Sequence, residues 1–180
     1  MSLATLVLGL VTAQRIGELL LSRRNTRRLM AKGAIEVGPG HYPLIVLVHA
    51  AWLAGLWLLG WNRPVEPVWL GVFLVLQACR IWVLATLGER WTTRIIVLPG
   101  APLVRTGPYR LLSHPNYVVV AGEIMSLPLA LGLPVYGVVF SVLNALVLWV
   151  RIRAESRALS EATNPAPERG DHVAALIGDD

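Results

Sequence analysis

The chain has 180 residues, of which 55% are hydrophobic, and its formal net charge is +5. Soluble domains are usually about 45–50% apolar, and here the excess is concentrated in runs long enough to cross a bilayer. All but one of the 16 basic residues are arginine, and most of them lie between or after the apolar runs. The composition therefore predicts an integral membrane protein, and the placement of the charge argues against nucleic acid as a partner.

Five apolar runs predict five transmembrane helices, at about residues 3–21, 42–61, 68–88, 117–133 and 134–150. Arginine clusters follow the first, third and fifth runs, whereas the other two connections carry little or no positive charge. Because basic segments favour the cytoplasmic side, this alternation places the N-terminus outside. We therefore expect a multi-pass protein of the cell (inner) membrane with its basic segments in the cytoplasm.

Ionisable residues interrupt four of the predicted spans. Arg15 and Glu18 are spaced to pair at i,i+3 on one helix face. His49 is either a packing residue or a ligand, and Arg80 either extends to the headgroups or faces a cavity. Glu123 lies one to two turns into the fourth span, where an ionisable group suggests function. The alternative for Glu123 is a structural pairing with Arg80 or Arg15.

The segment between the third and fourth spans is not apolar enough to cross a bilayer. Its β-branched run Thr92–Val97 precedes a turn signal at Pro99 and Gly100, which predicts a short cytoplasmic hairpin or extended loop packed on the helix ends. The fifth helix can continue beyond the membrane through Arg151–Leu159. We expect one membrane domain over residues 1–163 and a mobile tail over residues 164–180.

The strongest motif stands where the fourth span begins, at Gly107-Pro108-Tyr109-Arg110 and His114-Pro115-Asn116-Tyr117. It combines aromatic, basic and imidazole side chains at the predicted boundary between water and membrane. A second pattern follows the fifth span, where Arg151 and Glu155 share a helix face at i,i+4. Taken alone, that pair could be a surface ion pair worth about 0.3–0.5 kcal/mol.

Taken together, Gly-Pro-Tyr-Arg-x-x-x-His-Pro-x-Tyr, a helical hairpin and Arg-x-x-x-Glu resemble the isoprenylcysteine carboxyl methyltransferase family over about residues 90–159. These are integral membrane enzymes that use S-adenosyl-L-methionine. The resemblance implies that Arg151 contacts the acceptor and that Glu155 binds the cofactor. It also implies further cofactor-binding residues, which are Ala101, Pro102, Leu103, Val104, Tyr109, His114, Pro115, Asn116 and Tyr117. It implies no metal.

Three positions depart from the family pattern. Ser113 replaces the arginine that usually precedes His-Pro, Ser156 replaces the second acid of a Glu-Glu pair, and Ala101 stands where eukaryotic members often have histidine. A prenylated-cysteine acceptor therefore does not follow. The run Trp91–Gly100 resembles bacterial members associated with type III polyketide synthases, which O-methylate alkylpyrones or alkylresorcinols.

The expected activity is S-adenosylmethionine-dependent methylation of an oxygen on an amphiphilic, lipid-like acceptor. A carboxylate or acidic enol needs no strong base, whereas for a phenol His114 or Glu123 is a candidate base. Two alternatives are a nicotinamide-dependent membrane reductase on a related scaffold and a non-catalytic membrane subunit. The sequence leaves open the acceptor, the protein partners and the oligomeric state.

Overall fold

The computed structural model describes residues 2–38, 40 and 42–163, with backbone alone for residue 155 and residues 157–163. This part of the chain is mostly helical, as predicted. Its helices are α1 (Leu3–Ala31), α2 (Tyr42–Gly60), α3 (Pro67–Leu87), α4 (Pro115–Ala130) and α5 (Pro134–Thr163). It also has two short strands, β1 (Ile35–Glu36) and β2 (Ile96–Val97), and 3-10 turns at Gly88–Arg90 and Gly107–Arg110. The predicted tail, residues 164–180, lies outside the described residues.

Four helical segments are long and apolar enough to cross a membrane, namely Leu3–Ala31, Tyr42–Gly60, Pro67–Arg90 and Pro134–Ala154. The remaining helix, α4, has 16 residues and is therefore about 24 Å long, shorter than the ~30 Å hydrocarbon core. Ten of those 16 residues are buried, so α4 is enclosed by its neighbours. The fifth span stays a prediction, because the length of α4 does not establish that it crosses.

Two helices extend beyond the predicted membrane boundary. α5 continues to Thr163, which confirms the predicted extension over Arg151–Leu159. α1 continues to Ala31, ten residues past the predicted end of the first span. The arginine-rich stretch contains no proline or glycine and many good helix formers, so the helix persists until Gly33, whose φ of +85° ends it.

A two-stranded sheet connects distant parts of the chain. β1 and β2 are antiparallel, with Ile35 opposite Val97, and the Val37 N–H donates to the Ile95 carbonyl at 2.9 Å. Of the two predicted alternatives for residues 90–106, the segment is therefore an extended loop, since its strand pairs with the α1–α2 connection and not with its own neighbour. Buried Ile95 and Val97 pack against Ala154 of α5, which fixes the loop over the end of the bundle.

Small residues allow the helices to approach closely. A side chain at Gly122 of α4 would meet Leu76 of α3 at 2.8 Å, and one at Gly55 of α2 would overlap the Tyr136 hydroxyl of α5. Close contact through small residues is the common way in which membrane helices pack. Gly137 of α5 likewise lies against Met125 and Pro128 of α4, so α4 is held between α3 and α5 and its first turn is positioned at the site.

Candidate functional site

A cavity of about 710 Å³ lies at the end of the bundle where α3 ends and α4 begins. Its volume is within the range of small-molecule sites, roughly 300–1,000 Å³. The predicted cofactor segment lines it throughout, with Ala101, Pro102, Leu103 and Val104 all in its wall. We refer to this space as the end cavity.

The end cavity also gathers the separated motif residues. Tyr109, His114, Asn116 and Tyr117 line it together with Arg151, which is 34 residues further along the chain than Tyr117. The tight turn between α4 and α5 returns the chain to this end and so produces the encounter. Most of the candidate residues from the two motifs therefore line the same cavity.

Two predicted site residues, Pro115 and Glu155, are not among the residues seen to line the end cavity. Pro115 is not among the lining residues of the end cavity; it begins α4, where a proline costs no helical hydrogen bond. Glu155 lies on α5 one turn beyond Arg151, and its side chain is outside the described part of the structure. Its neighbour Ser156 lines the cavity, so the helix passes the cavity at this level.

The wall formed by residues 101–104 offers unpaired backbone groups. Within the described residues, the N–H groups of Leu103 and Val104 make no hydrogen bond. The segment is held in place by Arg90, whose Nη1 donates to the Pro102 carbonyl at 2.5 Å. Extended backbone of this kind can donate directly to a ligand, since no helix or sheet uses its N–H groups.

Arg151 is held with its terminal nitrogens available. The residue is 8% exposed, and its Nε donates to the Tyr117 hydroxyl at 2.8 Å. The Tyr117 ring in turn stacks on His114, with ring centroids 5.3 Å apart. The two terminal guanidinium nitrogens have no hydrogen-bond partner within the described residues. Arg151 is therefore oriented by one bond and keeps two donor groups for a ligand.

A second cavity of about 290 Å³ adjoins the first. The two share Trp91, Thr92, Asn116, Tyr117 and Arg151 as lining residues. The other walls of the second cavity come largely from α1 and α2. They include apolar residues that reach the outer helix faces, such as Ile16, 55% exposed, and Val46, 41% exposed. We call this space the lateral cavity, because its walls extend to the side of the bundle.

A polar layer crosses the bundle beneath the end cavity, and three of its four side chains line the lateral cavity. Glu123 accepts hydrogen bonds from Arg15 at 2.7 Å and from Arg80 at 3.0 Å. Glu18 is paired with the same two arginines. Two positive and two negative side chains thus compensate one another. Arg80 lies seven residues before the end of α3 and Glu123 eight residues after the start of α4, which is roughly 10 Å along each helix at 1.5 Å per residue.

The polar layer decides several sequence-based alternatives. The predicted Arg15–Glu18 pair is present at 3.1 Å, and Arg80 faces the interior of the bundle and not the headgroups. Glu123 makes the predicted ion pairs with both arginines, is 1% exposed and is not among the residues lining either cavity; its catalytic role stays a prediction. His49 lines the lateral cavity.

Sequence reasoning missed the residues that anchor the wall of the end cavity. Ser22 Oγ is 2.8 Å from Thr93 Oγ1 and accepts the Thr93 N–H, and Asn25 donates to the carbonyls of Gly88 and Trp91. Ser22 and Asn25 are each 2% exposed. Their i,i+3 spacing on one face, amid arginines on the other faces, was the signal for a packed helix.

Comparison with known proteins identifies a family and two relatives. A model of the isoprenylcysteine carboxyl methyltransferase (ICMT) family matches residues 69–161, just over half of the chain. The chain is 41% identical over 161 residues to the uncharacterized protein YpbQ of Bacillus subtilis (strain 168), covering 87% of this chain and 96% of that protein. It is 29% identical over 165 residues to an uncharacterized protein of Haemophilus influenzae, covering 83% and 91% respectively. No solved structure gives a significant match.

Proposed function

Because the chain belongs to the isoprenylcysteine carboxyl methyltransferase family, we propose that it is an integral membrane methyltransferase that uses S-adenosylmethionine and methylates an oxygen of an amphiphilic acceptor. The observation that carries the proposal is the end cavity, which brings residues 101–104, Tyr109, His114 and Arg151 together beside the lateral cavity. A polar ligand and a lipid-like ligand can thus approach the same residues from different directions.

The residues of the end cavity fit S-adenosylmethionine. This cofactor supplies an electrophilic methyl group on a sulfonium, and it also carries an amino group, a carboxylate and ribose hydroxyls. The unpaired N–H groups of Leu103 and Val104 would donate to its oxygens. The faces of Tyr109 and Tyr117 would favour the sulfonium by cation–π attraction, of order 0.5–2 kcal/mol. Glu155, which family similarity assigns to the cofactor, would accept from an amino or hydroxyl group.

Arg151 suits the acceptor because it lines both cavities. Its free terminal nitrogens would hold the acceptor oxygen, and the acceptor's tail would lie in the lateral cavity among residues of α1 and α2. Holding two reactants in a near-attack geometry can supply roughly 7–11 kcal/mol of the barrier. Alignment and exclusion of water, more than acid–base chemistry, are then the protein's main contribution.

An alkylpyrone or alkylresorcinol is the acceptor class we favour. The run Trp91–Gly100, which resembles bacterial members acting on such lipids, supplies several lining residues of the end cavity. For an acidic enol no base is needed. For a phenol, His114 is the better placed of the two candidates, because it lines the end cavity whereas Glu123 is engaged by two arginines.

The proposal is tested with the purified protein in lipid nanodiscs. We expect it to bind S-adenosylmethionine and to transfer a tritiated methyl group to an organic-extractable product when supplied with lipid extract or alkylresorcinol. Oxidation of a nicotinamide without methyl transfer would support a reductase instead. A folded protein that fails to bind S-adenosylmethionine would support a non-catalytic subunit.

Replacing Glu155 with glutamine is expected to weaken S-adenosylmethionine binding by about 1.5–3 kcal/mol, the scale of a charged hydrogen bond, or roughly ten- to hundredfold in Kd. Isothermal titration in detergent measures this. Glu89→Gln is the matched control, because Glu89 pairs with Arg28 and Lys32 at the surface. Unchanged affinity for Glu155→Gln would make Glu155 a surface charge and remove it from the site.

The proposed orientation puts the end cavity in the cytoplasm, where the cofactor is available. Single cysteines at Leu111, 77% exposed near the end cavity, and at exposed Asn62 near the opposite end report it in a Cys79→Ser background. We expect a membrane-impermeant maleimide to label position 62 in intact cells and position 111 only after lysis. The reverse pattern would contradict the topology.

A further inference from the structure

Most polar groups of the lateral cavity are already engaged. Arg15, Glu18 and Arg80 belong to the compensated polar layer. Thr12 Oγ1 donates to the Leu8 carbonyl and accepts from an indole N–H. A ligand entering this cavity would gain little from these groups, because binding them would require breaking existing bonds.

Trp91 Nε1 and Asn116 Oδ1 line both cavities without a hydrogen-bond partner among the described residues, and two further groups of the lateral cavity are available. One is the pair of terminal nitrogens of Arg151, which are donors. The other belongs to His49, whose Nδ1 is 2.8 Å from the Ile45 carbonyl. A carbonyl can only accept, so Nδ1 carries the hydrogen, and Nε2 of the neutral ring is an acceptor. No hydrogen bond from the described residues reaches Nε2.

His49 and Arg151 line the lateral cavity from two different helices, α2 and α5. The lateral cavity consequently presents donors from α5 and an acceptor from α2 to one ligand.

We propose that His49 is a specificity-determining residue, which accepts a hydrogen bond from a second hydroxyl group of the methyl acceptor. This inference rests on the proposed function, in which Arg151 holds the oxygen that receives the methyl group. The ligand that matches both groups is a flat ring with two oxygen substituents and an alkyl chain. A ring with one hydroxyl satisfies Arg151 and leaves His49 Nε2 unpaired.

The test compares two acceptors that differ in one hydroxyl, pentadecylresorcinol and pentadecylphenol. Initial rates of tritiated methyl transfer are measured in nanodiscs for the wild type, His49→Phe and His49→Gln. We expect wild-type kcat/KM to be at least about tenfold higher for the resorcinol. A site that hydrogen-bonds a substrate hydroxyl discriminates against an analogue without it, because its buried polar group is then left unpaired. His49→Phe should remove that preference, so that the two kcat/KM values come within about twofold of each other.

His49→Gln should retain part of the preference, because its amide oxygen still accepts a hydrogen bond. It also keeps the test decisive if His49→Phe does not fold, in which case loss of the whole preference in His49→Gln would overturn the proposal. Leu53→Val, one turn further along α2 in the same cavity, is the matched control. It should change both rates by the same factor, since it alters apolar contact alone.

The outcomes separate this inference from the proposed function. If the wild type binds S-adenosylmethionine and methylates neither probe nor any lipid extract, the proposed function fails. If it methylates both probes and His49→Phe keeps the same ratio, the role of His49 alone is overturned. An equal loss with both probes would place His49 at the reacting oxygen or in the structure, and would also overturn its role in recognising a second hydroxyl.

Discussion

Replacing Arg151 with lysine is expected to slow methyl transfer at least about tenfold, or ~1.4 kcal/mol of transition-state stabilisation, with little change in S-adenosylmethionine affinity. Lysine keeps the charge but loses the planar fork and the Nε–H that Tyr117 accepts at 2.8 Å. The acceptor oxygen would then be held by a flexible point charge. Cofactor contacts made by residues 101–104 would be unaffected.

Isothermal titration and initial rates on one preparation measure the two quantities. Arg153→Lys is the control on the same helix. Arg153 is exposed, its guanidinium lies 3.8 Å from the centre of the Trp149 ring, and it is not among the residues lining either cavity. A parallel loss of cofactor affinity in Arg151→Lys would assign Arg151 to the cofactor carboxylate and contradict our division of roles.

Replacing Arg80 with methionine is expected to lower the free energy of unfolding by about 3–5 kcal/mol, the usual cost of removing one partner from a buried ion pair. Arg80 is 6% exposed and pairs with both Glu18 and Glu123. Methionine fills similar space, but the two carboxylates then share Arg15 alone. The polar layer would carry an uncompensated negative charge inside the bundle.

Equilibrium denaturation in mixed detergent micelles measures this loss. Arg28→Met is the control, since Arg28 pairs with Glu89 at the surface, where an ion pair contributes about 0–1 kcal/mol. Adding Glu123→Gln to Arg80→Met should recover part of the lost stability, because the unpaired charge is then removed. Equal effects of Arg80→Met and Arg28→Met would show that the layer contributes no more than a surface pair.

The helices and the site residues could both be predicted from the sequence, but for different reasons. The apolar runs predict α2, α3 and α5 because a bilayer demands a fixed length of apolar helix. The residues of the end cavity could be proposed through family similarity alone, since no spacing rule brings Leu103 near Arg151. The structure explains that proximity by the hairpin of α4 and α5.

The remaining features depend on contacts between distant segments. Thr92–Val97 has the composition of a strand, but its partner at Ile35 is set by how α1 and the loop pack. The arginine-rich sequence after Leu21 is typical of a connecting loop. In the structure it continues α1, because Ser22 and Asn25 are buried against the segment that follows α3. The sequence also left open which side chains pair in the polar layer, because Glu123 could have paired with Arg15 or with Arg80.

The polar layer also constrains how the protein enters the bilayer during synthesis. Within α1, Arg15 has a compensating carboxylate one turn away, whereas α3 carries Arg80 and α4 carries Glu123 without an opposite charge on the same helix among the described residues. A lone charge opposes insertion, by up to about 2.5–3.5 kcal/mol when it lies at the centre of a helix. The translocon should therefore retain α3 until α4 emerges and release them with α1 as an assembled unit. Truncation before Glu123 would then leave a nascent chain that is a substrate for membrane quality control.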